Sequence, residues 1–163
     1  MPSNRNWRPL AHAELSDVMR IAGVAHPQLP ERMEVFDEKQ RLFPEGCFAF
    51  DAAGHLAGYA ISHPWTLNDV PPLDSLLKAL PVAPDCLYLH DVALLPQARG
   101  SGAAAGLMAM LTRLADDCGL AHLALVSVYG TDKLWRPLGF EDAGQSEKLA
   151  AYGLSARYMV RRL

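Results

Sequence analysis

Cysteine is scarce in this 163-residue chain, and charge of one sign never accumulates. The three cysteines, Cys47, Cys86 and Cys118, lie far apart with no Cys-x-x-Cys pair. That spacing leaves neither a disulfide framework nor a cysteine metal cage, and it reads as a reduced, intracellular chain with a cytoplasmic default. Fifteen Lys and Arg stand against eighteen Asp and Glu, a net charge of −3 with no long run of either sign. The electrostatic footprint for nucleic acid or an anionic membrane is therefore missing. Long apolar runs are missing too: the longest Ala- and Leu-rich stretch, residues 103–111, falls far short of the ~20 residues of a membrane span. The opening Met1-Pro2-Ser3-Asn4-Arg5-Asn6-Trp7 has no apolar stretch of the kind a secretory leader needs. Six histidines, among them His12, His26, His55 and His122, form no His-x-His or His-Glu-x-x-His arrangement, so no metal is implied. The absence of a Gly-x-Ser-x-Gly elbow argues against a serine hydrolase of the α/β type.

Half of the residues are hydrophobic and 20% are charged, enough to fill the core of one domain spanning residues 1–163. A short strand is expected at 7–10, then a helix with Leu15, Val18, Met19 and Ala22 on its apolar face. A second helix is predicted from Pro30, with Glu31 and Glu34 in its first turns and Met33, Phe36 and Phe43 as anchors. Residues 47–50 and 56–61 read as a hairpin joined through Asp51-Ala52-Ala53-Gly54. A long proline-rich connection, 62–84, carries one apolar patch at 73–80; long ordered connections tend to be functional. Residues 87–94 and 123–128 read as buried strands around a helix at 102–118, a parallel pair with a right-handed crossover. A short helix near 133–135, a strand near Phe140 and a last strand at 157–160 complete the order, and that last strand is a plausible homodimer contact.

The most informative stretch is Arg99-Gly100-Ser101-Gly102-Ala103-Ala104-Ala105-Gly106, between a strand and a helix with Leu107, Met110, Leu111 and Leu114 on one face. The first turn of a helix has unpaired N–H groups and partial positive charge, so a phosphate is favoured there, and Arg99 adds a full charge. Two other readings stand beside this one. The glycines permit tight helix packing, or Gly100-x-Gly102-x-x-Ala105 belongs to a dinucleotide fold. The intervening Pro96-Gln97-Ala98-Arg99 and the lack of an acid before Asp132 weigh against the dinucleotide.

Arg99-x-x-Gly102-x-Ala104 resembles the (Gln/Arg)-x-x-Gly-x-(Gly/Ala) signature of the GNAT superfamily of N-acetyltransferases, and Val92-Ala93-Leu94 looks like that family's fourth strand. Leu125-Val126-Ser127-Val128-Tyr129-Gly130 followed by Leu134-Trp135-Arg136-Pro137-Leu138-Gly139-Phe140 looks like its fifth strand and the helix ending in Gly-Phe. The resemblance implies an α/β (α+β) fold, a mixed twisted sheet of about six to seven strands with about four helices, splayed between strands 4 and 5. It further implies acetyl-CoA as co-substrate in that opening, pantetheine paired with the backbone of Val92, Ala93 and Leu94, and pyrophosphate on the amides of Gly100, Ser101, Gly102, Ala103 and Ala104.

Acetyl transfer to an amine needs a neutral amine and a proton for the departing thiolate; for a lysine-like amine of pKa ~10.4, neutrality at pH 7 costs ~4.6 kcal/mol. By resemblance the positions nine and eleven before Arg99, His90 and Tyr88, face the substrate. His90 is the candidate general base, with a structural histidine as the alternative. Strand alternation puts Tyr88 and His90 on one face and Leu89 and Asp91 on the other, and Asp91 pairs with an Arg or caps a loop rather than catalyses. Trp135 stands where the family has a Tyr acid; it packs beside pantetheine, leaving Tyr129 as the substitute acid or a structural Tyr. His63, Trp65 and Asp69 line an acceptor cleft or belong to a solvated loop. The expected function is an N-acetyltransferase moving acetyl from acetyl-CoA to a primary amine of a small molecule or peptide by direct attack. The alternative is a catalytically silent acyl-CoA-binding or interaction module of the same fold.

Overall fold

A computed structural model describes residues 6–163; the first five residues of the opening segment read for a leader lie outside it. Seven strands form one sheet in the order β1-β2-β3-β4-β5-β7-β6: β1 Trp7–Pro9, β2 Cys47–Ala52, β3 His55–Trp65, β4 Cys86–Leu94, β5 His122–Ser127, β6 Glu141–Asp142 and β7 Arg157–Arg162. Every neighbouring pair is antiparallel except β4 and β5, the pair joined by the predicted crossover. The helices are α1 Leu15–Ala25, α2 Met33–Leu42, α3 Ala103–Asp117 and the single turn α4 Asp132–Trp135. No helix of the described residues is long and apolar enough to cross a membrane.

Alternation along the strands divides the core. Phe48, Phe50, Leu87, Leu89, Leu123 and Leu125 pack against Leu107 and Leu111 of α3. Cys47, Ala49, Tyr59 and Ile61 face the opposite way, against Leu15, Val18 and Ile21 of α1 and Phe36 of α2. Farther along that second face, Cys86, Tyr88 and Ala124 lie under Val70 of the long connection and under Leu149 and Tyr152. The β2–β3 hairpin closes through Ala53 and Gly54, both at positive φ (52° and 79°), the two-residue turn whose twist matches flanking strands.

Several local expectations shift. The second helix begins at Met33 rather than Pro30, so Glu31 precedes it and is free to point elsewhere. Met33 is 42% exposed and anchors nothing, whereas Phe36 is fully buried. On α1 the buried face is Leu15, Val18 and Ile21, with Met19 and Ala22 at its margin. β3 runs on to Trp65, which shortens the connection, and its apolar patch at 73–80 is neither helix nor strand. The strand offered for a dimer contact, β7, has β5 on one edge and the two residues of β6 on the other.

Two features of β4 position the site. Its ladder with β5 spans only Leu87–Leu89 against Leu123–Leu125, and both strands continue beyond it without pairing to each other. On the other edge, Ile61 pairs with Asp91 and Ser62 with Leu89, so His90 has no partner and forms a β-bulge. The bulge resets the alternation. Asp91 comes out on the Tyr59–Ile61 face, the side His90 shares with Tyr88, and not on the Leu89 face that strict alternation gives it.

Gly58 permits the close approach of β3 to β4: a Cβ there would sit 2.5 Å from Leu94 Cδ2 and 2.8 Å from the Ala93 carbonyl. Gly58→Val is expected to lower stability by about 1–3 kcal/mol through forced backbone displacement. Urea unfolding measures it; an unchanged midpoint contradicts the packing described.

Candidate active site

Where β4 and β5 part, a cavity of about 730 Å³ opens. One wall is β4 from Leu89 to Leu94, and the facing wall is Leu125, Val126, Val128 and Tyr129 at the exit of β5. Ala104, Ala105 and Leu107 of α3 close one end with Arg99, and Leu134, Trp135, Pro137 and Leu138 line the α4 side. Ala25, His26, Leu29 and Glu31, at and after the end of α1, close the other end with Leu73 and Tyr152.

The Gly-rich turn has the form an anion cradle needs. The first α3 bond runs from the Gly106 N–H to the Gly102 carbonyl, so the amides ahead of it lack helical partners. Gly100 and Gly102 have φ of 74° and 77°, and a Cβ on either would meet no atom within 4 Å. The glycines are there for positive φ, not for tight packing, and Arg99, Gly100, Ser101 and Gly102 all face solvent. Arg99 Nε donates to the Leu94 carbonyl at 3.2 Å, and Ser101 Oγ to that of Ala98 at 2.6 Å. Val92, Ala93, Leu94, Arg99, Ala104 and Trp135 line the cavity; Gly100, Ser101 and Gly102 lie on the exposed turn beside it. Ala103 is buried, its carbonyl accepting from Trp7 Nε1 at 2.8 Å. A mostly antiparallel sheet with one parallel pair rules out the doubly wound dinucleotide fold.

Two histidine–carboxylate pairs stand on the β4 wall. His90 Nε2 lies 2.9 Å from Glu31 Oε1, their side chains 2% and 6% exposed. Burial pushes the Glu31 carboxyl up, but the His90 charge and its hydrogen bond, with the Asp74 amide, outweigh that and hold it below the ordinary carboxylate range. His26 Nε2 lies 2.9 Å from Asp91 Oδ1 and 3.2 Å from the Val92 carbonyl. Burial pulls His26 down, and Asp91, which also accepts from Tyr59 Oη at 2.6 Å, more than offsets it, so the imidazole titrates above its ordinary value. Tyr129 stacks on His26 with ring centroids 6.0 Å apart. Asp91 thus pairs with a histidine and a tyrosine, not with an arginine.

His90 and Tyr129 both line the cavity; the four residues offered for the acceptor do not. Tyr88 and His63 are buried in the sheet face, and His63 is wholly inaccessible. Trp65 Nε1 donates to the Asp69 carbonyl at 2.8 Å, and the Asp69 carboxylate is bound by Lys148 at 3.0 Å. Sequence reasoning missed Glu31 and His26. The one signal for Glu31 was an acidic residue next to Pro30, which reads as a helix start, and His26 carried no motif at all.

Residues 10–140 match the model of the acetyltransferase (GNAT) family. Among solved structures, Ard1 from Thermoplasma volcanium superposes with a TM-score of 0.72 at 15% identity, over 96% of each chain. The ribosomal-protein-S18-alanine N-acetyltransferase from Escherichia coli does so at 0.67 and 20% identity, over 96% of this chain and 92% of that one. GphF, a GNAT-like decarboxylase in complex with isobutyryl-CoA, reaches 0.75 at 13% identity, over 96% and 98%. These likenesses establish the fold. No curated protein sequence matches the chain.

His63 has a measurable consequence of its own. Burial lowers its imidazole to about 3, whereas an unfolded histidine titrates near pH 6.5. Between those values only the unfolded chain takes up the proton, so stability falls as pH drops from about 6.5 to about 3 and is unaffected above. His63→Phe should remove that part of the acid-side loss. Between pH 7.5 and 4.5 the unmodified protein is expected to lose on the order of 2–3 kcal/mol more than the variant by urea unfolding. Equal losses contradict it.

Proposed function

Because the chain belongs to the GNAT acetyltransferase family, we propose that residues 1–163 act as one N-acetyltransferase domain, moving acetyl from acetyl-CoA to a primary amine by direct attack. The observation that carries the reading is the opening between β4 and β5, with a Gly-rich helix start at one end and a buried histidine–carboxylate pair within it. GphF, of the same fold, binds isobutyryl-CoA, and the E. coli neighbour is named for acetylating an alanine of a ribosomal protein.

The residues fit the co-substrate. Free amides from Gly100 to Ala104, with Arg99, suit the pyrophosphate. Beyond Leu89 the β4 edge has no strand on the β5 side. Along Val92, Ala93 and Leu94, the Val92 carbonyl meets His26 Nε2, the Leu94 carbonyl meets Arg99 Nε and the Ala93 carbonyl faces β3. Each of the first two keeps a second lone pair for a pantetheine amide, and a backbone amide of this edge polarises the thioester carbonyl. The apolar α4 side, Leu134, Trp135 and Leu138, suits the arm itself.

His90 and Glu31 act as one proton-accepting unit. Glu31 holds the His90 ring by Nε2 and keeps a negative charge beside it, so Nδ1, buried and without a hydrogen-bond partner, is the nitrogen left to take the proton the amine gives up. The amine nitrogen then attacks the thioester carbon, and the C–S bond breaks with its electron pair leaving on sulfur. Tyr129, on the facing wall and stacked on His26, is the phenol available to return a proton to that thiolate; the indole of Trp135 is too weak an acid.

His90→Ala and Glu31→Gln are each expected to lower kcat/KM for amine acetylation at least tenfold, with acetyl-CoA affinity held within a few-fold. Thiol release and calorimetry measure the two, and a change in rate under threefold for both variants overturns the assignment. Gly102→Val forces a β-branched residue to φ 77° and should weaken acetyl-CoA at least tenfold in calorimetry; retained affinity argues against the cradle. Tight acetyl-CoA binding without thiol release across a broad amine panel would favour the silent module instead.

A further inference from the structure

The end of the cavity away from the Gly-rich turn has a charge balance that selects among amines. Among the described residues Arg99 is the only Lys or Arg on the wall, and its Nε is tied to the Leu94 carbonyl. The His90 bulge lies four residues back along β4, roughly 13 Å at ~3.3 Å per residue. At the bulge the charged groups are His90 with Glu31 and His26 with Asp91, each pair at 2.9 Å. Whatever the protonation of the two rings, each is matched by a carboxylate, so this end is neutral or negative and never net positive. Two cations lie behind the wall. Lys39 is buried with its Nζ on the Ser75 carbonyl, and Arg32 is spent on Asp74 and Glu34.

The rest of that end is apolar. Ala25, Leu29, Leu73 and Tyr152 supply its surface. The Asp74 amide donates to Glu31 Oε2 at 3.0 Å, the Arg32 amide donates to Asp74 Oδ1 at 2.8 Å, and Tyr152 Oη donates to the Pro71 carbonyl at 2.6 Å. The long connection is thereby fastened to the segment between α1 and α2 on one side and to Tyr152 on the other.

We infer that the acceptor is a small primary amine with an apolar body and no acidic group. An ammonium is drawn to the Glu31 and Asp91 carboxylates and a hydrocarbon or aromatic body fits Leu29, Leu73 and Tyr152, whereas a carboxylate meets two carboxylates with no Lys or Arg among the described residues of that end to receive it. This inference rests on the acetyl-transfer reading above.

The test uses acceptors that differ by one carboxylate: 2-phenylethylamine against phenylalanine, and hexylamine against 6-aminohexanoate, with Phe-Ala-Ala as a peptide N-terminus. Thiol release from acetyl-CoA is read on the full chain. Each plain amine is expected to exceed its acidic counterpart and the peptide at least tenfold in kcat/KM. Leu73→Arg, which places a cation on the apolar wall, should shrink the ratio within each pair at least threefold. An amino acid or the peptide used as well as the plain amines overturns the inference and leaves acetyl transfer standing. Acetyl-CoA bound by calorimetry with no release for any acceptor overturns the transfer reading, and this inference with it.

Discussion

Three residue pairs, from Leu87–Leu123 to Leu89–Leu125, join β4 to β5, although both strands run on beyond them. Where the ladder stops, backbone N–H and C=O groups on β4 lose the neighbour that a closed sheet would give them. Such groups rarely stay unpaired when shielded from water. Here the Val92 carbonyl takes the His26 imidazole instead, and the rest of that edge faces the cavity. The bulge at His90 falls one residue past the last paired position, so one short stretch of chain both opens the sheet and turns two titratable side chains to the same face.

Burial of charge at the site is balanced locally. Glu31, His90, His26 and Asp91 are all largely withdrawn from solvent, and an isolated charge in such surroundings would shift its titration until it became neutral. Pairing avoids that: Glu31 stays below its ordinary range and His26 above its own, each because of the partner at 2.9 Å. His63, close by but with only the Pro64 carbonyl as partner, shows the other outcome and is held neutral down to about pH 3. Neighbouring imidazoles thus divide into one with no charge partner and two, His26 and His90, each paired with a carboxylate.

Much of the fold was legible. The Gly100–Gly102 turn, the Ala53-Gly54 hairpin and the strand–helix–strand order were read from residue types whose backbone preferences are local, and the motif register led to His90. Glu31 was read as part of a helix's first turn because a carboxylate after Pro30 satisfies the local rule for one. Its pairing with His90 depends on a strand 59 residues away. His63 and Tyr88 were offered to the acceptor because alternation fixes a face but says nothing of what covers that face, and Val70, Leu149 and Tyr152 belong to the region covering Tyr88.

What the chain by itself determined is the set of elements and the form of its glycine-rich turn, since positive φ, unpaired helix-start amides and strand periodicity are properties of a few consecutive residues. The tertiary structure alone decided which titratable groups meet. A single unpaired residue on β4 reverses the facing of Asp91, and the segment after α1 carries His26 and Glu31 across to it. Long-range packing sets both, and no local propensity encodes it.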